Sequence, residues 1–274
     1  GYTAYAYDVA VSGNYAYVAN WQDGLLVLDI QSPANPVRAG AVATDGLAQG
    51  VAISGKYAFV AGAAYISAGL EIIDISNPAR PQRVGSYRTP SGSDALDVAV
   101  SGNYAYVAAR FDGLLIVDIS NPANPVRIGA YDTGIAQRVA VFGNYVYVAD
   151  YFGGLQVIDI RNPANPQRVG GNTAFDPINV TVSGGRLFAA AHEGLFMLDL
   201  FTRPLRFGSP IGYADNRFHF SLEGEPGQSV RVQRSDNLRD WQPWLSVTLG
   251  DVSLPLTDTN APGRPHRWYR AVSP

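Results

Sequence analysis

Leu114-Leu115-Ile116-Val117-Asp118-Ile119-Ser120-Asn121-Pro122-Ala123-Asn124-Pro125 is the stretch whose reading decides the fold. Its first four residues are apolar without alternation, which predicts a strand buried on both faces. Proline cannot donate to a sheet ladder and holds the residue before it extended, so Pro122 and Pro125 mark a connection and not a central strand. The same succession returns as Leu25 to Asp29 before Pro33-Ala34-Asn35-Pro36, Leu70 to Asp74 before Pro78 to Pro81, and Leu155 to Asp159 before Pro163 to Pro166. A fifth copy, Leu195 to Asp199, keeps only Pro204.

Upstream of the quoted run, Val98-Ala99-Val100-Ser101-Gly102-Asn103-Tyr104-Ala105-Tyr106-Val107-Ala108 recurs as Val9 to Ala19, Val51 to Ala61, Val139 to Ala149 and, more loosely, Val180 to Ala190. The turn glycines Gly13, Gly55, Gly102, Gly143 and Gly184 step by 42, 47, 41 and 41 residues. Glycine at the first central position suits a type II′ hairpin, so Val-Ala-Val is strand a and Tyr-Ala-Tyr-Val is strand b. The apolar run is strand c, and Val126 to Tyr131, after the prolines, is strand d. A four-stranded antiparallel unit every 40 or so residues is the signature of a propeller blade, because radial stacking covers a strand that one sheet leaves bare. The expectation is an all-β chain: a five-bladed β-propeller over residues 1–210, closed by the first unit packing on the fifth or, alternatively, a truncated larger ring completed by a second chain, then a small C-terminal β-sandwich over 211–274.

The run at 114–122 resembles the LVIVD repeat family, named for that motif. The resemblance implies a propeller fold and a secreted, cell-surface or periplasmic protein, and it is nearly silent about role. After Gly208 the repeat stops, and Phe218 to Leu222, Val230 to Arg234, Trp244 to Leu249, Val252 to Leu256 and Arg267 to Val272 read as strands with one buried face. Arg234-Ser235-Asp236-Asn237-Leu238 through Trp241, with the closing Trp268-Tyr269-Arg270-Ala271-Val272, is similar to a β-sandwich module appended to large secreted bacterial proteins. Trp241, Trp244, Trp268 and Tyr269 are its expected core.

Composition narrows the function. The 274 residues carry net charge −3 and no Cys, which argues against nucleic acid as a partner and excludes disulfides, thiol catalysis and Cys-ligated metals. No apolar stretch reaches the 18 or so residues of a membrane span, so membrane insertion is not expected. The chain starts at Gly1-Tyr2-Thr3 without Met or leader, and reads as a mature or trimmed product whose export signal it does not contain. No Gly-x-Ser-x-Gly elbow, P-loop or dinucleotide fingerprint is present.

The a–b and c–d turns are nearly identical between copies, whereas the b–c and d–a connections differ. Positions free to differ are the ones available to a ligand, so the rim carrying b–c and d–a is the candidate site. At the mouth of strand a stand Asp8, Gly50, Asp97, Arg138 and Asn179, preceded by Tyr7, Gln49, Leu96, Gln137 and Ile178. Beyond strand b stand Trp21, Arg110, Asp150, Tyr151, His192 and Glu193. The expected ligand set is Tyr7, Asp8, Trp21, Gln49, Asp97, Arg110, Gln137, Arg138, Asp150, Tyr151, Asn179 and His192, taking a small polar molecule, a glycan or a protein. The rival is a hydrolase acting on an ester, phosphoester or glycoside, with two carboxylates among Asp8, Asp97, Asp150 and Glu193 and His192 as proton shuttle. No cofactor is expected, with Ca²⁺ at Asp8, Asp97 and Asn179 as the alternative. The recurring Asp29, Asp74, Asp118, Asp159 and Asp199 are expected to cap the following turn.

Overall fold

The computed structural model describes residues 5–63, 69–90, 93–200, 206–214, 217–224, 229–249, 253–259 and 268–272. All regular structure among them is β-strand, and no helix there is long and apolar enough to cross a membrane. Pro204, the remnant of the fifth copy's proline corner, lies outside the described residues.

Each of the first four repeats folds as predicted into a four-stranded antiparallel meander. The first sheet is β1 (Asp8–Ser12), β2 (Tyr15–Ala19), β3 (Leu25–Asp29) and β4 (Val37–Val42), hydrogen-bonded in that order. The second is β5 (Leu47–Ser54), β6 (Tyr57–Ala63), β7 (Gly69–Asp74) and β8 (Gln82–Arg88). The third is β9 (Asp97–Ser101), β10 (Tyr104–Ala108), β11 (Leu114–Asp118) and β12 (Val126–Tyr131). The fourth is β13 (Ala136–Phe142), β14 (Tyr145–Asp150), β15 (Gly154–Asp159) and β16 (Gln167–Asn172). The turn glycines Gly13, Gly55, Gly102 and Gly143 each take φ of +57° while the residue after each stays at negative φ, which is the type II′ pattern.

Local chemistry closes the other corner. Asp29, Asp74, Asp118 and Asp159 accept the N–H groups of Gln31, Ser76, Ser120 and Arg161 at 2.8 to 3.0 Å. The hydroxyls of Ser76 and Ser120 also hold Asp74 and Asp118 below the usual carboxylate range. Beyond each aspartate the proline corner is a hydrogen-bonded turn, with Asn35, Arg80, Asn124 and Asn165 donating to the carbonyl three residues back at 2.9 Å. In strand d, Gly40, Gly85 and Gly129 lie so close to the carbonyls of Pro78, Pro122 and Pro163 in the next unit that no Cβ would fit. The glycine before the end of strand d is therefore a packing requirement between neighbouring sheets.

The fifth unit departs from expectation. Among the described residues it is three-stranded: β17 (Pro177–Ser183), β18 (Arg186–Ala191) and β19 (Gly194–Asp199). No Pro-x-x-Pro corner turns the chain back after β19, and the next strand, β20 (Arg206–Ala214), pairs with β21 (Arg217–Glu223) instead. The chain divides into two compact units, Gly1–Leu200 and Phe201–Pro274.

Within the first unit the a strands stack in sequence, β1 on β5, β5 on β9, β9 on β13 and β13 on β17. No comparable contact returns from β17 to β1 among the described residues, so the expected closure of the first unit on the fifth is not what the structure has. The sheets pack through alternating apolar layers. Tyr17, Leu25 and Val27 meet Val51, Val60 and Ile73; Phe59, Leu70 and Ile72 meet Val98, Val107 and Leu115; Tyr106, Leu114 and Ile116 meet Val139, Val148 and Ile158.

The second unit consists of two three-stranded sheets. In one, β20, β21 and β24 (Ser253–Asp258) lie side by side; in the other, β22 (Ser229–Ser235) sits between β23 (Gln242–Thr248) and β25 (Trp268–Val272). Leu222, Val230, Val232 and Leu249 form the core between them, as a sandwich requires. Trp244 packs against that core and Tyr269 against Trp244, Phe218 and Phe220. Trp241 instead lies under the Arg270 guanidinium at 4.4 Å, and Trp268, like Trp244 and Tyr269, is half-buried.

Candidate functional site

Strand a enters its sheet through a β-bulge in three of the five units. The register shifts between Ala48 and Gly50, between Ala136 and Arg138, and between Pro177 and Asn179, leaving Gln49, Gln137 and Ile178 without a ladder partner. A bulge bends the strand and re-aims a side chain, here at the rim where b–c and d–a connections emerge.

One residue further in, the mouth column is held by hydrogen bonds that run from sheet to sheet. Asp8 accepts from Val9 N–H with Oδ1 and from Val51 N–H of the second sheet with Oδ2, both at 2.8 Å. Asp97 accepts from Val98 N–H and from Val139 N–H of the fourth sheet, both at 2.9 Å. Asn179 repeats the first half of the pattern, accepting Val180 N–H at 2.7 Å. A carboxylate that satisfies its own strand's amide and the next sheet's amide is a stitch between neighbours. Gly50 sits between them, and a Cβ there would stand 2.7 Å from the Asp97 Cα.

The column is electrostatically tight. Burial pushes the Asp97 carboxyl up to about 7; the Val139 and Val98 amides and the Arg138 charge oppose this, and the Asp8 charge adds to it. Arg138 donates from Nη1 to the Gln137 carbonyl at 2.8 Å. Among the described residues no three His, Asp or Glu side chains gather as a metal ion would need.

Elsewhere the rim residues divide. Tyr7 stacks on Trp21 with centroids 4.7 Å apart. Trp21 and Arg110 occupy equivalent b–c turns with φ of 47° and 37°, and their backbones bridge to Ala48 and Ala136 of the next sheet. Arg110 is drawn to Asp94 at 2.8 Å and lies over the Phe111 ring, so its charge is already answered. Asp150 is fully buried, and its Oδ1 accepts the N–H groups of Phe152 at 3.1 Å and Gly153 at 2.6 Å. That turns the b–c loop tightly and leaves Tyr151 and Phe152 exposed, edge to face at 4.8 Å.

Against those two rings, between the fourth and fifth sheets, lies a depression of about 410 Å³. Gln137 and Ile178, both bulge residues, line it with Tyr151, Phe152, Asp176, Pro177 and His192. Gln137, Tyr151 and His192 belong to the ligand set expected from the sequence, and the structure brings them together. Tyr7, Asp8, Trp21, Gln49, Asp97, Arg110, Arg138, Asp150, Asn179 and Glu193 do not line it. Asp176 and Pro177 are new. The signal available for them was that Asp176-Pro177 falls in the d–a connection of the fifth copy, where the other copies have no Asp-Pro pair.

An array of meander sheets stacked through their a strands, one per repeat, defines a propeller-like repeat scaffold. The LVIVD repeat family matches it four times in succession, at residues 4–44, 45–89, 92–133 and 134–172, and the chain belongs to that family. No curated relative matches the chain. Among solved structures it is similar to the computationally designed Ika8 protein, at 10% identity and a TM-score of 0.48 over 82% of this chain and 84% of that one. It is also similar to the computationally designed Ika4 protein, at 13% identity and a TM-score of 0.46 over 58% of this chain and 94% of that one.

Proposed function

We propose that this repeat scaffold is a binding protein whose b–c/d–a rim takes a small polar ligand with an apolar face, a sugar ring being the type, in the depression between the fourth and fifth sheets. The observation that carries the reading is the pairing of two exposed aromatic rings, Tyr151 and Phe152, with an amide, a carboxylate and an imidazole around about 410 Å³. Ligand sites combine apolar walls with a few polar groups in this way, and the volume suits one or two sugar units. The test is a glycan and small-metabolite screen followed by calorimetry on Phe152→Ala and Asp176→Asn. Tenfold or greater loss of affinity in both variants supports the site, on the scale of about 1.4 kcal/mol per decade; equal affinity in wild type and variants removes it.

Hydrolysis is the second reading, favoured by one observation: a carboxyl near the mouth raised to about 7 is in the range a general acid uses. Against it, both oxygens of Asp97 and both of Asp8 already accept backbone amides. Asp8→Asn and Asp97→Asn separate the two readings. A hydrolase loses turnover on chromogenic esters or glycosides, whereas a binding scaffold keeps its ligand and changes only in stability.

A further inference from the structure

Glu71 in the second sheet and Asp150 in the fourth are both buried, and each lies against the connection that enters its sheet. Glu71 has its partners: Oε1 accepts the Asp45 N–H at 2.6 Å, and the Arg83 guanidinium, itself paired with Asp45, faces Oε2 at 3.4 Å. Asp150 has no such cation among the described residues. The residue aligned with Arg83 is Arg168, which donates from Nε to the Gly170 carbonyl at 3.3 Å, while Arg110 is engaged by Asp94 and Arg138 by the Gln137 carbonyl. The Phe152 and Gly153 amides hold Asp150 Oδ1; Oδ2 is buried without a hydrogen-bond partner, and so is the Thr133 hydroxyl. Both orphans belong to one corner. Gly134, next to Thr133, has φ of +103° and would bring a Cβ to 3.4 Å from each Asp150 oxygen, so its missing side chain leaves room over the carboxylate. The Gln156 amide fixes this connection by donating to the Thr133 carbonyl at 2.7 Å. At the position of Asp150 the other units have Asn20, Gly62, Ala109 and Ala191, so the charge is particular to the fourth sheet.

We infer that an alkali cation, sodium or potassium, binds at Asp150 Oδ2 and Thr133 Oγ1 and ties the b–c turn of the fourth sheet to the connection before it. A carboxylate taken out of water needs a compensating charge, which a buried water does not supply. Asp150 does not line the depression beside Tyr151 and Phe152, so the ammonium group of a ligand there does not meet it. Hard oxygen donors suit alkali and alkaline-earth ions, and the charge count chooses between them. One carboxylate is neutralised by one positive charge, whereas calcium sites gather several carboxylates and a divalent ion here would leave a buried surplus. The ion holds the turn from which Tyr151 and Phe152 project, but the inference does not rest on the ligand reading, and its failure leaves that reading untouched.

The experiment is thermal unfolding of the 274-residue chain in sodium, potassium or choline chloride at one ionic strength, choline being too large for a buried site. At about 100 mM salt, a site with Kd near 1 mM raises the melting temperature of the first unit by about 5–10 °C over its value in choline. Asp150→Asn keeps an Oδ1 for the two amides and removes the charge; Thr133→Val keeps the side-chain shape and removes the hydroxyl. The difference between salts should vanish in the first variant and shrink in the second, with circular dichroism in choline chloride as the check on folding. Thallium(I), standing in for potassium, should give an anomalous diffraction peak in contact with Asp150 Oδ2 in wild-type crystals, which decides the matter if Asp150→Asn does not fold. Equal wild-type melting temperatures in all three salts, as a water or a proton on Asp150 would give, overturn the proposal. So does a salt difference that persists in Asp150→Asn, or thallium bound only elsewhere.

Discussion

Replacing Asp97 by Asn should change how the stability of the first unit depends on pH. The buried carboxyl is raised from its ordinary value of 3.8 to about 7, so between those limits the native state keeps a proton that the unfolded chain releases. Stability therefore falls as pH rises across that interval, by about 1.4 kcal/mol per pH unit, and levels off above it. Over about three units the loss is of order 4 kcal/mol. The side-chain amide of the variant carries no charge at any of these pH values; its Oδ1 can take one amide, as that of Asn179 does, while the Val139 N–H loses its acceptor at a cost of about 1–3 kcal/mol. The variant should be less stable than wild type near pH 4, cross it between about pH 5 and 6, and exceed it by roughly 2 kcal/mol at pH 8. Urea unfolding followed by hydrogen exchange in the β9 and β13 peptides isolates this unit from the second. Parallel pH profiles for the two proteins would refute the assignment of a charge penalty to Asp97.

Three further outcomes follow from the packing. Leu114 and Leu195 occupy the same repeat position, yet Leu114, fully buried, should cost about 2–5 kcal/mol in thermal unfolding when replaced by Ala, and Leu195, 72% exposed, within about 0.5 kcal/mol. Equal costs would mean that the fifth sheet is covered after all. Gly50→Ala drives a methyl against the Asp97 backbone and should lower the melting temperature through about 1–3 kcal/mol of overpacking, while Gly55→Ala, with open space but φ of +57°, pays only turn strain. Because Asp8 and Asp97 spend their oxygens on amides, excess EDTA should leave the melting temperature unchanged; a drop of several degrees would point to a bound cation.

The mouth column shows why the rim was only partly readable. Its members could be aligned from the spacing to each turn glycine, but the partner of each side chain lies about 42 residues away, in the next sheet. Alone, Asp8 and Asp97 look like a catalytic pair; the Val51 and Val139 amides make them stitches. The bulges that turn Gln137 and Ile178 outward leave no mark in composition, because a bulge is a mismatch between two strands and not a property of one.

What the amino-acid order determined by itself is local and periodic: the II′ hairpins at Gly13, Gly55, Gly102 and Gly143, the aspartate-capped proline corners, and the largely apolar third strand of each unit. Those features rest on dihedral preferences and hydrogen bonds within a few residues, and each copy repeats them. Only the tertiary structure decided that β20 pairs with β21, that the a strands stack in sequence from β1 to β17, and that the depression lies between the fourth and fifth sheets. These depend on which surfaces meet across whole repeats, and a chain of nearly identical units carries almost no sequence signal for how neighbouring copies come to differ.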